Sequence, residues 1–190
     1  AADSTGHGVP GAMVSVVCSN ALNRTVKEFH LTETGEILDK TRELVLETFE
    51  KSTSEVKDGM DISLLCIDYK NKKIFWSGAN NPLWYIVNDE MKDIKADKQP
   101  IGKTDYPKPF TTHHINFTED SIFYLFTDGY ADQFGGDKGK KFKYQQFSEV
   151  LLQNHKLSLQ KQSELLNMAF DNWKGDLEQV DDVCVIGIKI

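Results

Sequence analysis

The sequence is poor in cysteine, with three in 190 residues, and this scarcity constrains both the fold and the compartment. Cys18, Cys66 and Cys184 are odd in number, widely spaced and each placed within an apolar run. Such spacing is not that of a disulfide framework or of a zinc site. We therefore expect small buried side chains in a reducing compartment, and we predict a cytoplasmic location.

Basic residues and long apolar runs are also scarce. Lysine and arginine total 22 against 29 aspartates and glutamates, which gives a net charge of −7. Because nucleic-acid binders contact phosphates through a basic face, we predict no nucleic-acid partner. No apolar run approaches the roughly 20 residues of a membrane helix, and no signal-peptide pattern opens the chain. We expect no membrane segment in this sequence.

Several familiar site motifs are missing as well. The sequence has no glycine-rich phosphate loop that ends in Lys-Ser or Lys-Thr, and no Gly-x-Ser-x-Gly turn to carry a nucleophile. It also lacks the Asp-x-Asp-x-Asp-Gly loop of calcium-binding proteins. These absences argue against a P-loop enzyme, a Ser-His-Asp hydrolase and a calcium-stabilised domain.

Apolar periodicity predicts two helices, a run of strands, two further helices and a last strand. Runs of each type indicate an α+β fold with a mainly antiparallel sheet in a single domain, residues 1–190. The first eight residues are predicted to be a loop, and the strands within 60–88 to form a β-meander. The first predicted helix begins after Pro10, and the other three span 36–51, 144–154 and 159–172. The predicted strands span 60–69, 73–78, 83–88, 92–95, 110–117, 121–127 and 183–190.

Aspartates occupy unusual positions along this pattern. Asp128 directly follows an apolar run typical of a strand buried on both faces, where a charge is costly unless something compensates it. A hard divalent cation held by carboxylates and carbonyl oxygens is one compensation. An aspartate before glycine is also a common turn or cap residue, and both interpretations stay open at this point. The other candidates are Asp3, Asp132 and the pair Asp181 and Asp182.

Six segments of the sequence together resemble one protein family. They look like the conserved segments, in the same order, of bacterial phosphatases related to stage II sporulation protein E, which are members of the metal-dependent Ser/Thr protein phosphatase (PPM) superfamily. The first reads Ala-Asp-Ser-Thr-Gly-His-Gly-Val-Pro-Gly-Ala and the fifth Thr-Asp-Gly-Tyr-Ala-Asp-Gln-Phe-Gly-Gly. The segments are 2–12, 58–62, 78–83, 100–102, 127–136 and 179–182.

The resemblance implies a fold and a set of metal ligands. The family fold has two mainly antiparallel β-sheets packed as a sandwich and flanked by helices, with metal ions in a cleft at one end. By resemblance, the metal ligands are the side chains of Asp3, Asp128 and Asp181 and the backbone carbonyl of Ser4. Asp132 is similar to a further acid that holds an additional ion.

The implied activity is hydrolysis of phosphoserine or phosphothreonine in bacterial signalling. Two Mn²⁺ or Mg²⁺ ions would bridge and activate the attacking water. His7 lies near the place where some relatives have a general acid. The resemblance further implies a phosphoprotein substrate, for which an anti-sigma-factor antagonist is the family's precedent.

The sequence departs from the family pattern in three places. Ser4 stands where Cys or Gly is common, a change that a backbone carbonyl ligand tolerates. The family carries another metal-binding aspartate in a Gly-Gly-Asp segment upstream, and we expect this chain, which starts after it, to lack the N-terminal strands and to bind metal weakly. We also expect the strand edge exposed in this way to favour a homodimer. Asn80 stands where eukaryotic relatives have an aspartate, which weakens the case for a complete third metal site.

Two other functions remain open from the sequence. The first is a non-catalytic, phosphatase-like module that binds a signalling partner. The second is a different metal-dependent hydrolase, such as a nuclease or a small-molecule phosphatase, although the acidic composition disfavours nucleic acid.

Overall fold

The computed structural model describes residues 1–6, 8–50 and 58–190. Residues of the chain cluster into two compact units, Ala1–Leu83 with Lys95–Asn116 and Trp84–Ile94 with Phe117–Ile190. The prediction of one domain over residues 1–190 stays a prediction. In chain order the elements are β1 (Ala2–Ser4), α1 (Gly8–Lys27), α2 (Thr34–Glu50), β2 (Met60–Asp68), β3 (Lys73–Ala79), β4 (Leu83–Val87), β5 (Glu90–Ile94), β6 (His113–Ile115), β7 (Ile122–Phe126), α3 (Gly129–Asp132), β8 (Phe134–Gly135), β9 (Lys140–Lys141), α4 (Lys143–Asn154), α5 (Leu159–Lys174) and β10 (Val185–Lys189).

The first unit contains an antiparallel sheet in the order β1-β2-β3-β6 together with helices α1 and α2. Strands β2 and β3 form a long hairpin in which Ile62 pairs with Ala79 and Asp68 with Lys73. The two helices bury their apolar faces, and a buried hydroxyl pair, Thr25 and Thr41, lies between them at 3.2 Å. The core of this unit is mainly aliphatic: Val14, Cys18, Ala21, Leu38, Leu44, Val45, Met60, Ile62, Ala79, Ile101 and Phe110.

The second unit contains a sheet in the order β10-β7-β4-β5 together with helices α3, α4 and α5. All five residues of β7 are buried, and β10 pairs with β7 in antiparallel register, with Val185 opposite Phe126. A short hairpin, β8 and β9, follows α3. The core of this unit is mainly aromatic: Trp84, Ile86, Ile122, Tyr124, Phe126, Tyr130, Phe142, Phe147, Leu151, Leu166 and Phe170.

Two expectations about the strands are wrong. The N-terminal loop is instead strand β1, because Ala2, Asp3 and Ser4 pair with β2 and the terminal amine donates to the carbonyl of Ser63. The β-meander ends after β3, because β4 pairs within the second sheet. The chain leaves β3 at Asn80, whose φ of 59° turns the backbone away from the strand direction.

Element boundaries shift by a few residues elsewhere. The strand expected over 110–117 is reduced to β6, and α5 runs two residues beyond its predicted end. The predicted last residue of the second helix, position 51, lies outside the described residues. Cys18 is buried and the other two cysteines are partly buried, and all three are free thiols.

Candidate metal centre

Three carboxylates of the second unit lie close enough to interact. Asp128 follows Thr127 at the end of β7 and is half-buried. Its pKa is raised, first by burial of the carboxyl group and then by the negative charges of Asp181 and Asp132. The positive charge of Lys141 acts in the opposite direction. The structure therefore brings together aspartates that are more than fifty residues apart in sequence.

The loop that carries Asp181 is fastened to the end of β7. The backbone N–H of Thr127 donates to the carbonyl of Cys184 at 3.0 Å, and the N–H of Cys184 donates to the Thr127 hydroxyl at 3.1 Å. Gly129 permits the close approach, because a Cβ atom there would lie 2.3 Å from the carbonyl oxygen of Asp182. The spacing between Asp128 and Asp181 is thus set by backbone contacts.

The side chain of Gln133 also holds the loop that carries Asp181, and the sequence did not predict this role. Its side chain is completely buried, and its Nε2 donates to the carbonyls of Glu178 at 2.9 Å and Phe134 at 3.0 Å. Its Oε1 accepts from the N–H of Val180 at 3.3 Å. The amide therefore holds the loop one residue before Asp181. Nothing in the local sequence distinguishes Gln133 from an exposed glutamine.

Lys141 is the second residue that sequence reasoning missed. It lies on β9, and its Nζ is 2.7 Å from Oδ2 of Asp132. A run of lysines reads as a solvated face in the sequence, so only the β8–β9 hairpin reveals that one of them reaches the acids. Asp132, predicted as a ligand for an additional ion, is thus ion-paired with a lysine.

Asp3 and Ser4 belong to the first unit, on strand β1. Asp3 pairs with Asp61 and Ser4 with Met60 in the antiparallel ladder with β2, which fixes the direction of both backbones. Ser4 also shares a hydrogen bond between its hydroxyl and that of Ser15. Main-chain pairing, and not a buried core, therefore positions these two predicted ligands.

The segment after β1 is anchored through Thr5. Its N–H donates to the carbonyl of Gly59 at 3.0 Å, and its hydroxyl accepts from the N–H of Gly59 at 3.0 Å. The same hydroxyl donates to Asp58 at 3.1 Å. These contacts tie together two of the family-like segments, 2–12 and 58–62. His7, the predicted general acid, lies outside the described residues.

Asn80 and Asn81 lie in the turn that follows β3. Asn80 donates through Nδ2 to a carboxylate oxygen of Asp61 at 2.8 Å. Asn81 is 6% exposed, and its Nδ2 has no hydrogen-bond partner among the described residues. Asn80 therefore holds a carboxylate where an aspartate would repel it.

The chemistry of the second unit's acids fits a hard divalent cation. Carboxylate oxygens are the preferred ligands of Mg²⁺ and Mn²⁺. Three negative charges face one lysine, and their mutual repulsion and burial disfavour the ionised form of Asp128. A divalent cation at this place would compensate the charge that the lysine leaves uncompensated.

No helix among the described residues combines the length and the apolar composition needed to cross a membrane. No curated protein matches the chain by sequence.

A protein-family model matches the entire chain, residues 1–190, and its description is stage II sporulation protein E (SpoIIE). Solved structures are similar as well. The SiaA-PP2C domain of Pseudomonas aeruginosa superposes with a TM-score of 0.89 at 24% identity, over 100% of this chain and 74% of that chain. The PP2C phosphatase domain of SpoIIE from Bacillus subtilis, solved with a fragment of its regulatory domain, gives 0.72 at 14% identity, over 100% and 53%.

A third solved structure, RsbX in complex with magnesium, gives a TM-score of 0.65 at 16% identity, over 98% of this chain and 77% of that chain. The chain spans about half the length of the SpoIIE structure. Because the sequence identities lie between 14% and 24%, the structural similarity establishes the fold alone. The predicted fold class, α+β with two mainly antiparallel sheets and flanking helices, is confirmed as that of PPM phosphatases.

Proposed function

Because the chain belongs to the stage II sporulation protein E family, we propose that it is a metal-dependent protein serine/threonine phosphatase. The observation that carries this proposal is the cluster of Asp128, Asp132 and Asp181, in which a half-buried carboxyl group has its pKa raised by burial and by two like charges. Structural ion pairs balance their charges, whereas this cluster keeps an excess of acid.

The proposed ligands are those that the resemblance implies. In the second unit they are Asp128, Asp181 and Asp132; the first unit would add the carboxylate of Asp3 and the backbone carbonyl of Ser4. When bound, two Mn²⁺ or Mg²⁺ ions would supply Lewis acidity, lowering the pKa of water and neutralising phosphoryl oxygens.

The chain's own residues would supply position. In the net reaction water adds to phosphorus, the ester bond between phosphorus and the seryl oxygen breaks, and that oxygen takes a proton. Thr127, Gly129 and Gln133 keep Asp128 and Asp181 at a fixed spacing, so that little reorganisation is needed when charge develops. His7 remains the sequence-based candidate for the proton donor.

The proposed setting is bacterial signalling in the cytoplasm. The substrate would be a phosphoprotein, with an anti-sigma-factor antagonist as the family's precedent. Three free thiols support a reducing compartment.

One observation favours the alternative of a non-catalytic, partner-binding module. Lys141 already binds Asp132 at 2.7 Å, and an ammonium group on one acid competes with a metal ion for it. Such a module would keep the fold without turnover.

The test is Mn²⁺-dependent hydrolysis of a phosphoserine peptide by the protein and by Asp128→Asn and Asp181→Asn. Each substitution removes a proposed charged ligand, so we expect kcat/KM to fall at least ~100-fold. Asp93→Asn, at an exposed position on β5, is the matched control and should retain activity. Parental activity in Asp128→Asn and Asp181→Asn would refute the ligand assignment. An absence of Mn²⁺-dependent turnover in the unmodified protein would favour the non-catalytic module.

A further inference from the structure

The β8–β9 hairpin concentrates positive charge in an acidic protein. Four of the chain's 22 basic residues lie within the six positions 138–143, in a chain whose net charge is −7. All four lysines are exposed, and the single acid within residues 134–143 is Asp137. We call residues 134–143 the lysine hairpin; its lysines are Lys138, Lys140, Lys141 and Lys143.

The lysine hairpin is anchored to helix α5 through Trp173. The N–H of Gly136 donates to the carbonyl of Trp173 at 2.8 Å, and a Cβ atom on Gly135 would lie 1.8 Å from the same oxygen. The ring of Phe142 meets the Trp173 indole edge-on at 5.4 Å. The base of the hairpin is therefore packed closely against Trp173, and this packing holds the backbone that carries the lysines.

One lysine ties the hairpin to the acidic cluster, and the others remain available. Lys141 binds Asp132 at 2.7 Å, four residues after Asp128. Lys138, Lys140 and Lys143 form no ion pair with any residue that the structure describes. The hairpin that binds Asp132, a proposed metal ligand, thus also carries three ammonium groups with no ion pair in the described part of the chain.

The start of helix α4 adds to this positive field. The helix begins at Lys143, has no acidic residue in its first turn, and receives no side-chain cap from Phe142. The first N–H groups of a helix lack partners within the helix and carry partial positive charge. Acidic side chains usually occupy such a position, and here a lysine, Lys143, occupies it.

We propose that the lysine hairpin docks the acidic sequence that flanks the phosphorylated residue of a protein substrate. The proposal rests on the proposed phosphatase function and names the class of substrate it would prefer. Ammonium groups form charge-assisted hydrogen bonds with carboxylates and with additional phosphates, and a local positive patch speeds the encounter with an anionic partner. A short acidic peptide needs only the positive charge of the hairpin, whereas an extended polyphosphate backbone would also meet the rest of a chain whose net charge is −7, and nucleic acid is therefore disfavoured.

The test compares the binding of two fluorescent phosphoserine peptides by anisotropy, one flanked by glutamates and one by glutamines. We expect the unmodified protein to bind the glutamate-flanked peptide more tightly. In Lys138→Glu/Lys140→Glu the dissociation constant for that peptide should rise ~10-fold, and the preference should disappear. Lys138→Gln/Lys140→Gln, which removes charge without reversing it, should give an intermediate value.

The matched control is Lys70→Glu/Lys72→Glu, which makes the same charge change in the exposed turn between β2 and β3. We expect it to keep the preference, and thermal melts should show that all variants are folded. An equal loss in this control, or an unchanged preference in the hairpin variants, would overturn the proposal. Lysine-dependent binding of a uridine oligonucleotide in place of the glutamate-flanked peptide would also overturn it.

Failure of this inference is distinguishable from failure of the proposed function. Peptide binding is measured without turnover, whereas Mn²⁺-dependent phosphate release from the glutamine-flanked peptide reports the phosphatase activity alone. Selective binding without release would support the docking surface and contradict the phosphatase proposal. Release of phosphate without selective peptide binding would support the phosphatase proposal and contradict the docking surface.

Discussion

The two units of the molecule bury different kinds of side chain and support their share of the candidate site in different ways. In the packed core cluster of the first unit one of eleven residues is aromatic, against seven of eleven in that of the second; Trp76 is a further buried aromatic side chain of the first unit. In the second unit Tyr130, two residues after Asp128, stacks on Phe147 at 4.4 Å and donates its hydroxyl to the carbonyl of Leu166. The predicted ligands of the first unit instead lie on the short strand β1.

This difference indicates that the core of the second unit is the more rigid of the two. Aromatic rings fill large volumes with few rotatable bonds, so a core made of them relaxes little. The acids that interact in the second unit stand directly on such a core, whereas Asp3 and Ser4 depend on main-chain pairing to β2. We therefore expect core changes in the second unit to be more costly and to reach the site.

The largest expected effect comes from matched cavities in the two cores. Leu38 in the first unit and Leu151 in the second are both completely or almost completely buried. Each leucine-to-alanine change should destabilise the protein by about 2–5 kcal/mol. The Leu151→Ala variant should lie at the upper end, because rigid rings close a cavity less well than aliphatic side chains do. Urea unfolding measures both costs, and a larger cost for Leu38→Ala would contradict the comparison.

A smaller effect is expected from two buried glutamines. Gln99 in the first unit binds the backbone of Lys108 at 2.8 and 3.0 Å, and Gln133 in the second binds the loop before Asp181. Substitution of either buried glutamine by methionine removes the partners of partly buried backbone groups, at a cost of about 1–3 kcal/mol.

Only the Gln133→Met substitution should also weaken Mn²⁺ binding, since only Gln133 fastens a proposed ligand loop. Calorimetric titration of both variants with Mn²⁺ checks this. Equal weakening in Gln99→Met would show that the effect is general destabilisation.

The smallest effects are pH dependences of opposite sign. Burial raises the pKa of Asp39, in the first unit, above its ordinary 3.8, whereas hydrogen bonds from His155 and Lys156 lower that of Asp89, in the second. Where the folded pKa is raised, the folded protein binds more protons, so stability falls as pH rises from 3.8 through the folded value. Where it is lowered, the stabilisation is present above 3.8 and is lost as pH falls through the folded value.

Unfolding free energies of Asp39→Asn and Asp89→Asn, each compared with the parent between about pH 3 and pH 6, measure these two slopes. The stability of the parent relative to Asp39→Asn should fall with rising pH, and relative to Asp89→Asn it should rise. Slopes of the same sign would contradict the assignment of burial to one carboxylate and hydrogen bonding to the other.

The sequence predicts those elements whose apolar pattern is strong. The run that became β7 is entirely apolar, and its buried position at the base of Asp128 follows from that pattern. Strand β1 could not be predicted, because three small or polar residues become a strand only through pairing with β2. Tertiary contact overrides local preference there.

The residues of the candidate site likewise fall into those that the sequence predicts and those that it does not. Acids beside glycine after an apolar strand are visible in sequence, and the family resemblance assigns them. Gln133 and Lys141 are not visible, because their roles depend on which backbone or carboxylate the fold places within hydrogen-bond distance. The change of sheet between β3 and β4 is likewise a matter of long-range pairing.

The proposed metal centre requires that sequence-distant aspartates bind the same divalent cations, which a measurement of Mn²⁺ binding can decide. Electron paramagnetic resonance of Mn²⁺ titrated into the protein counts bound ions without any need for turnover. We expect weak but saturable binding of two ions per chain, with loss of binding in Asp128→Asn and in Asp181→Asn and no change in Asp93→Asn. Binding that is absent from the parent, or equal in all four proteins, would contradict it.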